Sequence, residues 1–257
     1  MTAIQWYPGH MASAMRRLAE DVRLTNVVIE VVDARIPHSG RNPALARIAG
    51  SRPRLVVLER DDVADPAATK AWVAYLEANG EPAVAINGKS RGSVQRLRKR
   101  LAGLNEGRRV ARAVVVGIPN AGKSTVINAL VRKNVARVED RAGVTRSAQW
   151  FRVDPALDVL DTAGILVPRI ASKDAEWMLA LCGAVPRTRF DAEEVVVRFV
   201  TWARERGKRV PDLDVFARER GFVRRGNIVD TSSAAWTYIK EWSDGRFGRM
   251  TLELPPS

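Results

Sequence analysis

The chain has 257 residues, 46% of them hydrophobic and 28% charged, which is enough to bury a sizeable core as one large domain or a medium one with a small companion. A formal net charge of +13 favours a polyanionic partner, either nucleic acid or an anionic membrane surface. The single cysteine, Cys182, excludes a disulfide framework and a Cys-based zinc site, and the absence of a long apolar run near the N-terminus leads us to expect a cytoplasmic protein.

In chain order, residues 8–24 predict an amphipathic helix with Met11, Met15, Leu18 and Val22 on one face. A β-branched run at 26–33 predicts the first strand, and a helix follows at 42–50. Strands are expected at 54–59, 82–86, 111–117, 149–153 and 157–161, with helices at 66–79, 92–104 and 123–132. Pro66 stands where a helix start tolerates proline, and Gly80 stands just past that helix. Such alternation predicts an α/β fold, a mostly parallel sheet with helices on both faces. Beyond 183–190 the pattern turns helical, with Val195, Phe199 and Trp202 at helical spacing and then Ala235, Tyr238 and Trp242. We therefore expect a first domain over 1–185 and a small all-helical one over 186–257.

The segment GIPNAGKS at 117–124 carries the strongest chemical signal. A strand, a loop with Gly117 and Gly122, and a helix follow one another there, the order needed for backbone N–H groups and a helix N-terminus to face phosphate. Pro119, Asn120, Ala121, Gly122 and Thr125 belong to this nucleotide-binding loop, Lys123 adds a charge for the outer phosphates, and the Ser124 hydroxyl suits magnesium. Downstream, Asp161 ends a strand and begins Asp-Thr-Ala-Gly, so its carboxylate can hold magnesium through water while the Gly164 N–H reaches a terminal phosphate. Thr145, in the intervening loop, is placed to close over the same magnesium.

A GTPase also needs a base-reading motif and a supporting loop, usually after the phosphate loop. Here the matching sequence lies upstream: RLVVLERDD ends on Asp62, and AINGKS supplies Asn87, Gly88 and Lys89 as the supporting loop. With this order, base before phosphate, the sequence resembles the circularly permuted ribosome-assembly GTPases of the RbgA/YlqF type. The resemblance is carried by WYPGHMASAM, VVDARIPHSGRNP, GIPNAGKST, AGVTRS, DTAGIL, EWMLALCGAVP and RERGFVRRGNIVD, and covers nearly the whole chain.

That resemblance implies a circularly permuted Ras-like P-loop domain followed by a helical RNA-binding domain. It implies binding of GTP/GDP with magnesium, ribosome-stimulated GTP hydrolysis, and a role in late assembly of the large ribosomal subunit. The partners it implies are a large-subunit precursor and its rRNA, with no membrane; no heptad or long apolar edge demands an oligomer, so a monomer is expected. Ile165 stands where Ras-like enzymes keep a water-orienting glutamine, and the resemblance points instead to His10 as the catalytic group. Asn120 likewise matches GTPases that recruit potassium, although asparagine is also a common turn former.

Two features depart from, or add to, this pattern. Glu59 and Arg60 replace the Asn-Lys of the base-reading motif, while Asp62 is kept. The arginine stem can cover a base face, but an ionised glutamate offers only acceptors, which predicts weaker guanine binding. Basic residues concentrate at Lys89, Arg91, Arg96, Arg98, Lys99, Arg100, Arg108, Arg109 and Arg112, against one acid, Glu106, and again at Arg218, Arg220, Arg224 and Arg225. These suit rRNA phosphates, or else form solvated faces. Two alternatives stay open: an rRNA-binding scaffold with a degenerate nucleotide site, and a P-loop ATPase with weak base selectivity.

Overall fold

The computed structural model describes residues 8–105, 110–131, 149–162, 164, 170 and 172–256, with side chains from residue 12 onward. Their contacts divide into two compact units. One takes in the described residues of 6–169 together with the terminal segment from Met250, and the other runs from Ile170 to Arg249.

The first unit is built on α1 (Pro8–Arg23), β1 (Val27–Asp33), α2 (Ala44–Ala49), β2 (Arg54–Glu59), α3 (Pro66–Ala78) and β3 (Ala83–Ile86). It continues with α4 (Arg91–Gly103), β4 (Ala111–Val116), α5 (Lys123–Leu130), β5 (Gln149–Asp154) and β6 (Leu157–Asp161). The six strands lie in the order β3-β2-β1-β4-β6-β5, all parallel except β5, which pairs antiparallel with β6. β1 is buried along its whole length, as a parallel strand covered on both faces must be. Leu18 and Val22 of α1 pack with Leu45, Val114 and Leu160 in one core, while Trp72 and Leu76 of α3 pack with Val56 and Leu58 in another. Each such side chain contributes roughly 1.5–3 kcal/mol through its removal from water.

Local chemistry sets the helix boundaries close to their predicted positions. The Asp65 side chain accepts from the N–H groups of Ala67 and Ala68, and Pro66 follows as the first residue of α3. The register then brings the carboxyl ends of the parallel strands to one edge: Asp33 pairs with Glu59, Glu59 with Ile86, and Val115 with Asp161. Ligands of open α/β sheets gather at that edge.

The terminal segment closes onto the loops after β1 and β2. Met250 N–H donates to Val63 O at 3.0 Å, Leu252 N–H to Arg35 O at 2.7 Å, and the Trp72 indole N–H to Glu253 O at 2.8 Å. Residues 250–256 thus pack with the sheet, whereas the sequence reading groups them with the helical domain.

The second unit contains α6 (Lys173–Leu181), a single 3-10 turn at Arg187–Arg189, α7 (Ala192–Glu205), α8 (Leu213–Glu219) and α9 (Thr231–Ser243). Its core is aromatic: Phe199 and Trp242 lie 5.8 Å apart, Phe216 and Tyr238 4.8 Å, and Tyr238 and Phe247 4.6 Å. The unit begins at Ile170 rather than 186 because α6 packs against α7. One short hairpin, Val223–Arg224 with Ile228–Val229, interrupts what the sequence reading expects to be helix alone. Cys182 is buried, as a small hydrophobe would be.

Candidate nucleotide-binding site

The loop after β4 is shaped by close backbone approaches. A Cβ added to Gly117 would lie 2.3 Å from the carbonyl oxygen of Val31 in β1, so this position accepts no side chain without movement of a core strand. Asn120 and Gly122 both take the left-handed backbone conformation, at φ 59° and 98°. This conformation at Asn120 matches its turn-forming role. The helix α5 starts directly after Gly122 and presents Lys123, Ser124 and Thr125 in its first turn.

Lys123 is buried, and its Nζ donates to Ile118 O at 3.0 Å. Burial lowers its pKa and the nearby Asp161 carboxylate works against that shift; Asp161 in turn is raised by burial and held back by Lys123 and the Thr162 N–H. A Cβ on Gly164 would sit 2.8 Å from Lys123 Nζ and 3.0 Å from Pro119 Cα. Lys123, Asp161 and Gly164, far apart in sequence, therefore meet at one end of the site. Among the described residues the ammonium donates to a loop carbonyl, an arrangement that an incoming phosphate can replace.

The base end is built from the loops after β2 and β3. Glu59 closes β2 and is 3% exposed. Its carboxylate accepts from the Gly88 N–H, while a Cβ on Gly122 would come within 2.5 Å of Oε2. Glu59 thus lies between the loop after β3 and the loop after β4. Its Oε2 has no hydrogen-bond partner among the described residues, and Arg60 Nε stands 3.7 Å away. Burial pushes the Glu59 carboxyl up to about 7; Arg60 and the Gly88 N–H oppose the shift, and the charges of Asp33 and Asp62 add to it.

Gly88 also packs on α5, since its Cβ would meet Thr125 Cγ2 at 2.7 Å. Within the same loop Asn87 Oδ1 accepts from the Lys89 N–H at 2.8 Å. Asp62 is exposed at the edge. Arg60, at φ 68°, brings its guanidinium toward Glu59 and Asp33 (3.9 Å), so in this structure its charge, more than its stem, faces the site.

The segment VVDARIP, as sequence alone, assigns Asp33 and Arg35 no role. Both are buried, and Arg35 donates to the Asp33 carboxylate at 2.9 and 2.7 Å; burial works against ionisation of Asp33, but Arg35 and Arg60 hold its pKa down. The readable signal was an aspartate ending a buried apolar strand with an arginine two residues on. Thr145, Ile165, Glu106, Arg108, Arg109 and the His10 side chain lie outside the described residues.

The basic cluster is partly structural. Arg98 donates to Asp154 and to Leu130 O, Arg100 pairs with Glu77, and Arg96 donates to Ser93. In the helical unit Arg220 pairs bidentately with Glu241, and Arg224 donates through two nitrogens to one oxygen of Asp230. Lys99, Arg91 and Arg112 remain exposed.

The sequence model of the 50S ribosome-binding GTPase family, MMR_HSR1, matches residues 112–205. A Ribosome biogenesis GTPase A from Bacillus cereus is 36% identical, with 98% of this chain and 94% of that protein covered. The chain belongs to the ribosome biogenesis GTPase A family. Its counterpart of that name in Thermotoga maritima is 32% identical over 98% of this chain and 95% of that protein. The crystal structure of GNP-bound YlqF from T. maritima superposes with a TM-score of 0.77 at 30% identity, covering 95% of this chain and 99% of that one. The family's permuted order agrees with the sheet, in which β2 and β3 bring the base-reading loops ahead of the phosphate loop after β4.

The glycine contacts lead to a paired test. Gly117→Ala is expected to lower unfolding free energy by about 1–3 kcal/mol through the clash with Val31, whereas Gly92→Ala in the open first turn of α4 should raise it by about 0.5–1 kcal/mol. Urea denaturation of both variants checks this, and equal stability of the two would contradict the packing described.

Proposed function

We propose that this protein binds GTP across the carboxyl edge of its sheet and hydrolyses it in late assembly of the large ribosomal subunit. The observation that carries the reading is the meeting of Lys123, Asp161 and Gly164 at one end of a site whose other end holds Glu59, Asp62 and the Asn87–Lys89 loop. In this reading the backbone of Pro119–Thr125 and Lys123 hold the phosphates, with Gly164 at the terminal one. Asp62 accepts from the guanine ring N–H and amino group, and Asn87, Gly88 and Lys89 support the base.

The oxygen donors of Ser124 and Asp161 form a hard set suited to magnesium, with Thr145, between them in sequence, as a third. Bound there, magnesium would neutralise developing charge on the phosphates. We assign His10 to positioning the attacking water, since no glutamine follows Gly164. Asn120 would ligate potassium in place of an arginine finger.

For the partner, rRNA phosphates suit the net charge of +13 and the groove of about 620 Å³ between β3 and α4, which Arg96, Lys99 and Arg100 line. No described helix is long and apolar enough to cross a membrane. The orphaned Glu59 Oε2 favours a second reading, an rRNA-binding scaffold with a degenerate nucleotide site.

Competition between GTP and ATP separates these. GTP is expected to bind roughly 10–100-fold more tightly, with Asp62→Ala erasing the preference because the guanine donors lose their acceptor. Equal affinity for the two nucleotides would sink the guanine reading, and no affinity for either would favour the scaffold. For catalysis, His10→Ala should cut ribosome-stimulated turnover by roughly 100-fold or more with little change in nucleotide affinity, and sodium in place of potassium should slow the wild type. Unchanged turnover in the variant would remove His10 from the mechanism.

A further inference from the structure

The anomalous residue of the site is Glu59, and its surroundings fit a neutral side chain better than a charged one. The Gly88 N–H acts on its carboxylate, and Oε2 has no hydrogen-bond partner among the described residues. The enclosed Oε2 is directed at the backbone of Gly122, so close that a Cβ there would lie 2.5 Å away. An ionised oxygen in that position would be buried with no donor among the described residues aimed at it, whereas a protonated one becomes a donor itself.

The charges around it do not supply a counter-ion at bonding distance. Arg60 Nε is 3.7 Å from Oε2, too far for a hydrogen bond, and also faces Asp33. From β1, the Asp33 carboxylate repels a charge on Glu59 while Arg35 is committed to Asp33. From its own loop Asp62 adds a second like charge. On α5, Lys123 donates to Ile118 O and faces Asp161, and on the supporting loop Lys89 is exposed.

We propose that Glu59 works as a neutral carboxylic acid, its Oε2 proton supplying to the phosphate loop the donor that an asparagine amide supplies in the base-reading motif, and that guanine-nucleotide affinity falls when this proton is lost. The proposal rests on the site's being a guanine-nucleotide site. It makes Glu59 a specificity residue with a pH dependence built in. The raised carboxyl pKa, about 7, places the change near neutrality. For an acid shifted upward, the folded site holds its proton after the unfolded chain has released it, so the favourable neutral form persists well above the ordinary glutamate range and is lost as pH rises through 7.

The test is binding of fluorescent GDP to the full chain and to Glu59→Gln between about pH 6 and pH 8.5, with unfolding followed in parallel to keep both proteins folded. Glutamine carries the same carbonyl and a permanent donor. Wild-type affinity relative to the variant should fall roughly thirtyfold across this range, and comparison with the variant cancels titration of the nucleotide and of other groups. Glu59→Asn, with the same amide on a shorter stem, takes the place of Glu59→Gln if the latter does not fold. Parallel profiles for wild type and variant, with guanine nucleotide bound by both, would overturn the proposal and leave the GTPase reading intact. Failure of both proteins to bind guanine nucleotide at any pH would overturn both.

Discussion

The proposed nucleotide site depends on three places where backbone meets neighbour with no room for a side chain. Gly117 lies against Val31, Gly122 against Glu59, and Gly88 against Thr125. These contacts join the loops after β2 and β3 to the loop after β4, so the base-reading half and the phosphate half are assembled by packing rather than by chain order. A permuted chain keeps a GTPase site on this condition alone: the strands must still lie side by side with their carboxyl ends at one edge, and the register of β1 with β2 and of β4 with β6 ensures it.

Burial then sets the electrostatics of the two ends in different ways. At the proposed phosphate end, Lys123 and Asp161 moderate each other's pKa shifts, which keeps a cation beside the loop after β4. At the base end, carboxylates crowd together. Asp33 has Arg35 at hydrogen-bond distance and stays ionised; Glu59 has only the more distant Arg60 and is pushed toward its neutral form. One arginine two residues along the chain separates these two outcomes. In the proposed reading, the apparent defect of the base-reading motif, a glutamate in an asparagine position, becomes a chemically workable substitution.

Much of this was legible in the sequence because its signals are local. Continuous β-branched runs gave the six strands, and a glycine pattern between a strand and a helix marked the loop after β4 as the phosphate-loop candidate. Glu59 stood out as the wrong residue in a short motif, but its environment could not be read, since the Gly88 N–H, the Gly122 backbone and Asp33 reach it from three separate segments. The return of residues 250–256 to the sheet was hidden for the same reason: Met250 and Leu252 find their partners at Val63 and Arg35, across most of the chain. Nor could composition tell a structural arginine from one offered to rRNA, because Arg98 and Arg220 acquire their carboxylates only in the fold.

The central claim is that a single site, divided by the permutation and rejoined at the sheet edge, turns over GTP on the ribosome. It is tested most directly by GTP turnover of the purified protein with and without large ribosomal subunits, measured beside Lys123→Ala. Subunits are predicted to raise wild-type turnover by roughly tenfold or more, and the variant to lose that response along with its hold on the phosphates. Turnover that subunits leave unchanged, or that Lys123→Ala retains in full, would contradict the account.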